Sequence, residues 1–135
     1  MLDRVGSCYW GCNKGDHITE RLLAKTVGFA SAALRLANFG HYDEALGLIR
    51  SIGEIANLFS LFDANADLFL RWKALNEAKR KSEFGPAQVR KQLDKQNLIT
   101  PMDTERYRQL CETSIHPTPH AEPQTFDRGH PPTMG

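Results

Sequence analysis

Residues 37–62 read "ANFGHYDEALGLIRSIGEIANLFSLF", and their periodicity decides the fold class. From 42 to 62, Ala45, Leu48, Ile49, Ile52, Ile55, Ala56, Phe59 and Phe62 recur in steps of three and four. That spacing puts them on one face of an α-helix. Upstream, Ile18, Leu22, Phe29, Ala33 and Leu36 mark a second stripe, with Leu23, Val27, Ala30 and Leu34 beside it. They predict a helix over 17–39, with Asp16 as its N-cap and Gly40 just past its end. The very short turn "FGHY" predicts that the two helices form an antiparallel hairpin.

Working outward, Asp63 is positioned to cap a third helix over 64–82, with Leu68, Trp72 and Leu75 inward. The basic "KRK" at its end complements the last exposed carbonyls. "FGPAQVRKQLDKQNLI" predicts a shorter fourth helix with Pro86 in its first turn. "TPMD" predicts a fifth, with Thr100 as N-cap, Pro101 at the first position and Asp103 reaching back. Tyr107, Leu110, Cys111, Ser114 and Ile115 would line its buried side. Residues 1–15 read as an irregular leader. Five of the seven prolines and three of the five histidines fall in the last twenty residues, so 117–135 reads as an extended tail. No stretch alternates as a strand would. The expected architecture is all-α: an antiparallel bundle of about five helices in one domain, 1–116, built on a long central hairpin. "ANFGHYDEALGLI" also resembles half of a tetratricopeptide repeat, but no second copy follows near the 34-residue period a solenoid needs.

Charge and cysteine content narrow the function. The chain carries 17 basic and 16 acidic residues, a formal net charge of +1. The charge is uneven, with local sums of −2, +5 and −2 for 1–70, 71–95 and 96–135. An anionic partner is therefore expected at the middle segment, with Arg71, Lys79, Arg80, Lys81, Arg90 and Lys91 as candidates. Three cysteines without a disulfide-framework spacing, and no secretory n- and h-region, point to a reduced cytoplasmic protein. "TVGFASAAL", the longest uncharged stretch in the helical part, is far shorter than the roughly 20 residues of a membrane helix. No membrane association and no cofactor are expected.

Four constellations could carry chemistry. Cys8, Cys12 and His17 are zinc-competent ligands within ten residues, but their spacing is not that of a zinc ribbon or knuckle, and no fourth ligand follows. Arg50 and Glu54 are neighbours at i, i+4 on an apolar helix; they suit an internal ion pair or a guanidinium held in a cleft for phosphate or carboxylate. His116 precedes Pro117, which stops the helix there. Its place at a helix C-terminus is worth about 0.3–1 kcal/mol when protonated, and Glu112 stands four residues earlier. The R-x(4–6)-H pattern of some ribonucleases, in which histidine moves the proton and arginine stabilises the phosphorane, has one formal match, Arg35 to His41. A match is expected by chance, and Arg108 to His116 is too long.

A helix with R-S-x-x-E, here Arg50, Ser51 and Glu54, is followed late in the chain by Y-x-x-L-C-E-x-x-x-H-P. Here those positions are Tyr107, Leu110, Cys111, Glu112, His116 and Pro117. With "RWKAL" and the basic stretch after it, these features cover about residues 8–130. They resemble a group of bacterial domains of unknown function similar to the HEPN superfamily of helical-bundle proteins. The resemblance implies a long antiparallel helix pair and membership among nucleases, toxins or noncatalytic helpers that bind nucleotides, RNA or a partner, often as dimers. Catalytic members use the Arg–His pattern that is not convincingly present here. The expectation is therefore a noncatalytic protein binding RNA, a nucleotide or a protein partner, possible settings being bacterial defence or toxin–antitoxin systems. Its cleft would draw on Arg50, Glu54, Tyr107, Glu112 and His116. The alternatives are a metal-independent ribonuclease using His116 and Arg50, and a structural dimerisation module. In such a domain a further helix is expected after "DRGHPPTMG", or a second subunit in its place, with a homodimer as one remedy.

Overall fold

The computed structural model describes residues 17–114; Cys8, Cys12, Asp16, Ile115, His116 and the tail lie outside them. Among the described residues there are six helices and no strand: α1 (Ile18–Asn38), α2 (Tyr42–Ala64), α3 (Ala66–Ala74), α4 (Glu77–Phe84), α5 (Pro86–Lys95) and α6 (Thr104–Ser114). They fall into two compact units. One holds residues up to Ile52 together with those from Leu110 on; the other spans Gly53–Gln109.

In the first unit, α1 ends where the chain can no longer stay right-handed. Gly40 takes φ +83, its N–H donates to the Ala37 carbonyl, and the His41 N–H reaches back to Leu36 at 2.9 Å. This paired closure satisfies carbonyls that the helix end leaves open, and a side chain at residue 40 would be strained. Asp43 and Glu44 then open α2, where negative charge suits the exposed amides. Among the described residues of this unit, Ala33, Ala45 and Cys111 have buried side chains.

Among the described residues, the second unit has the larger core. Leu61, Phe62, Phe84, Val89 and Leu93 are buried together, with Leu58, Leu68, Phe69, Trp72, Leu75 and Leu98 packed around them. Phe62 is central, with ring centroids 5.4 Å from Phe69, 5.6 Å from Trp72 and 6.2 Å from Phe84, all tilted. Such tilted pairs add to plain area burial because ring edges meet ring faces.

Three boundaries differ from the sequence expectation. The helix expected over 64–82 begins later and is broken. Asn65, rather than Asp63, caps α3 by accepting from the Asp67 N–H at 3.0 Å. Leu75 turns extended and inward, and Asn76 starts α4 by accepting from the Lys79 N–H at 3.0 Å. Arg80 folds back over the break, donating through Nε to the Trp72 carbonyl at 3.1 Å and through Nη2 to Leu75 at 2.6 Å. Its guanidinium also lies 5.2 Å from the Trp72 ring, so one side chain closes the open end of α3 and covers its aromatic.

The last helix also starts later than "TPMD" suggests. Pro101 and Met102 stay outside it, and Asp103 caps α6 by accepting from the Arg106 N–H at 2.8 Å. The cause lies in α2. Asn57, 2% exposed, donates to the Met102 carbonyl at 2.7 Å and accepts from the Met102 N–H at 2.9 Å. Ser60 holds the Ile99 carbonyl at 2.5 Å. Gly53, a turn before Asn57, leaves room for the Met102 side chain, whose Cε would lie 2.3 Å from an added Cβ. The segment before α6 is thus held against α2, and the Met102 peptide groups are unavailable to a helix.

α2 has 23 residues and contains an 18-residue window of mean hydropathy 1.3, enough by length and composition alone to cross a membrane. Its second half supplies Ile55, Leu61 and Phe62 to buried positions, as a core helix does. Ile49, expected on its buried stripe, is exposed, while the polar Asn57 is buried.

Candidate functional site

α5 carries the most unusual polar group of the second unit. Pro86 starts the helix, and the stripe it sets turns Val89, Arg90 and Leu93 inward, at 1%, 6% and 0% exposure. The Arg90 guanidinium carbon lies 3.9 Å from the centroid of the Tyr107 ring on α6, in face contact. Its Nε and Nη1 are sealed from solvent and meet no hydrogen-bond acceptor. A buried charge without an acceptor costs several kcal/mol, and a desolvated cation–π contact returns about 2 of them.

The other cations of the basic segment occupy different surroundings. Arg71 holds Glu83 through Nε at 2.9 Å and Nη2 at 2.8 Å. Lys81 pairs with Glu77 at 2.8 Å, one helical turn away. Arg80 is committed to α3 as described, while Lys79 and Lys91 are exposed. Of the six anion-binding candidates, three are therefore engaged within the unit, one is buried, and two present free-standing surface charge. The exposed pairs are worth about 0–1 kcal/mol each to stability, so their effect is mainly to reduce what the segment offers an outside polyanion.

Glu54, the second half of the expected Arg50–Glu54 pair, borders a small hollow of about 90 Å³ with Asn57, Leu58, Phe84, Pro86 and Val89. A second, open cleft of about 490 Å³ is lined by Leu68, Arg71, Ser82, Glu83, Phe84, Gln88 and Gln92. Gln92 is already used there, donating to the Glu83 carbonyl at 3.1 Å. On α6, Glu105 accepts from Arg108 at 2.8 and 3.1 Å and from Gln109 at 2.9 Å. The Arg108 hydrogen bonds hold its carboxyl below the ordinary value of 4.5.

In the first unit, Arg50 donates through Nη1 to the buried Cys111 thiol at 3.6 Å. One residue from each recurring motif is thus brought together, and the group facing Arg50 is a sulfur five residues before His116. Ser51 of the first motif bonds back to the Gly47 carbonyl at 3.2 Å, and Glu112 of the second is exposed on α6. Arg35 lies in the last turn of α1 and His41 in the closing turn. His17 is half-buried at the start of α1, and among the described residues no three His, Cys, Asp or Glu are grouped to hold a metal ion. Beside the turn stands an open cleft of about 560 Å³, lined by Ala37, Asn38, Phe39, Gly40 and Tyr42. Phe39 itself is 80% exposed.

Sequence reasoning missed three features. Asn57 was hidden within an apolar run, the burial of Arg90 within a run of lysines and arginines, and the exposure of Phe39 at the end of a helix. A signal existed for Arg90, since it shares a stripe with Val89 and Leu93. No family model matches the chain, and no match is found among the curated proteins or the solved structures.

Proposed function

We propose that this is a noncatalytic, HEPN-like helical protein of the bacterial cytoplasm that works by binding a protein partner, the first candidate being a second copy of itself. On this reading α1 and α2 form the long antiparallel pair of the family it resembles. The observation that carries the binding role is Phe39. A phenyl ring held 80% exposed at a turn closed by two backbone hydrogen bonds is an anchor already ordered before binding. Leu34, five residues earlier, and Ile49 on α2 are exposed as well. The ring and the open cleft beside it share one corner, so a twofold partner can exchange ring for cleft in both directions, as an isologous interface requires. The internal pairing of Arg71, Arg80 and Lys81 favours this reading over an extended RNA surface.

Analytical ultracentrifugation across micromolar concentrations tests it. The expected result is a reversible dimer that Phe39→Glu converts to a monomer without altering the helical circular dichroism. A wild-type protein that stays monomeric throughout, or a dimer indifferent to Phe39→Glu, overturns the reading. RNA retention that falls with salt and is lost on charge reversal at Lys79 and Lys91 would favour the nucleic-acid alternative instead.

A further inference from the structure

We propose that the cleft lined by α3, α4 and α5 binds a free α-amino acid with an apolar side chain, its carboxylate at Arg71 and its ammonium at Glu83. This goes beyond the partner-binding reading and does not rest on it. α3 supplies Leu68 and Arg71, α4 supplies Glu83 and Phe84, and α5 supplies Gln88 and Gln92. The observation that carries the proposal is the form of the Arg71–Glu83 pair. Arg71 places Nε and Nη2 at 2.9 and 2.8 Å from the same oxygen, Glu83 Oε2, where an ordinary fork engages both carboxylate oxygens. Among the described residues, Glu83 Oε1 therefore has no donor and Arg71 Nη1 no acceptor. Gln92 spends one amide hydrogen on the Glu83 carbonyl and keeps its own oxygen. The exposed Gln88 side chain makes no hydrogen bond to any described residue.

These unspent groups select the ligand. A guanidinium and a carboxylate side by side match a partner that carries the opposite charges equally close together, and an α-amino acid does so across a single carbon. A lone cation would meet Arg71 and a polyanion would meet Glu83, so a ligand of one charge sign gains little. The remaining edge of Arg71, Nη1 with the second hydrogen of Nη2, suits a carboxylate taken through two hydrogen bonds. The three ammonium hydrogens suit Glu83 Oε1 and the amide oxygens of Gln88 and Gln92. Leu68 and Phe84, which belong to the packed core, give the cleft its apolar part and favour a leucine-like side chain. The cleft is open to solvent and measures about 490 Å³, within the roughly 300–1,000 Å³ of small-molecule sites. The paired side chains are 61% and 32% exposed, so solvent screens them and the affinity belongs in the millimolar range.

The test titrates the full ¹⁵N-labelled chain with L-leucine at constant pH and ionic strength, following the Arg71 Nε–H and the Gln88 and Gln92 side-chain amide resonances. The expected result is a saturable shift of all three. N-acetyl-L-leucine lacks the ammonium and L-leucinamide lacks the carboxylate; each should bind about tenfold more weakly, the effect of one lost charged hydrogen-bonding group. Glycine should also bind more weakly than leucine, because it brings no side chain to Leu68 and Phe84. Glu83→Gln should abolish the preference for leucine over N-acetyl-L-leucine, and Arg71→Gln the preference over L-leucinamide. Helical circular dichroism should not change in either variant, since the pair is exposed. Overturning results are shifts that stay linear in leucine, equal binding of leucine and its two blocked forms, glycine binding as tightly as leucine, or preferences that survive both substitutions. The wild-type ligand series decides the matter even if a variant fails to fold.

Discussion

Replacing Asn57 by alanine should be among the most damaging polar substitutions in the second unit. Its amide exchanges two hydrogen bonds with the Met102 peptide, at 2.7 and 2.9 Å, from a position 2% exposed. Two such bonds contribute about 1 kcal/mol each, and the Met102 N–H and carbonyl left buried add a desolvation penalty, for a total of about 3–4 kcal/mol. For a domain of this size that corresponds to a fall in Tm of about 10–20 °C. Urea unfolding followed by circular dichroism reads the loss directly, and an unchanged m-value would show that the unfolded state is not the cause. Asn57→Asp sharpens the test. It keeps the acceptor for the Met102 N–H, loses the donor, and buries a carboxylate whose pKa burial raises. A raised folded-state pKa means the protonated form is favoured by folding, so this variant should recover stability as pH falls toward 5 while Asn57→Ala does not. A loss below about 1 kcal/mol for Asn57→Ala would refute the reasoning, because it would mean that water replaces the amide at little cost.

Other outcomes follow from the same contacts. Gly53→Ala places a Cβ 2.3 Å from Met102 Cε and 2.8 Å from its Cβ; the overlap should outweigh the helix-propensity gain of about 1 kcal/mol and leave a net loss of about 1–2. In a Met102→Ala background that loss should shrink without vanishing, since the residue 102 Cβ at 2.8 Å remains. Arg80→Ala should cost about 1–3 kcal/mol in chemical unfolding by opening the end of α3 and uncovering Trp72, and Arg80→Lys should not restore it. At Glu105, the depressed carboxyl favours the ionised form in the folded state. Its small contribution is therefore present above the ordinary carboxylate range and lost as pH falls through the lowered value. An NMR titration of the Glu105 side chain should show the depression in wild type and its loss in Arg108→Ala.

What the sequence determined by itself is the class and the punctuation. Apolar residues at three- and four-residue steps in 42–62 can be buried together only on a helix, so the all-α reading needed no tertiary information. Gly40 and Pro86 act within a few residues of themselves, through a positive φ and a missing N–H, and local effects of that kind are legible. Asn76, a capping residue, does not read as a helix start, because the apolar pattern of 64–82 runs through it. Tertiary structure decided the rest. The start of α6 depends on Asn57, 45 residues upstream of Met102, because a peptide held from both sides cannot also join a helix. The fate of the basic segment depended on which carboxylates and carbonyls came within reach, so Arg71 and Arg90, alike in sequence, became an exposed ion pair and a buried guanidinium against a ring. Periodicity records which face is apolar; it does not record the partner that a polar side chain meets, because that partner is brought by the fold.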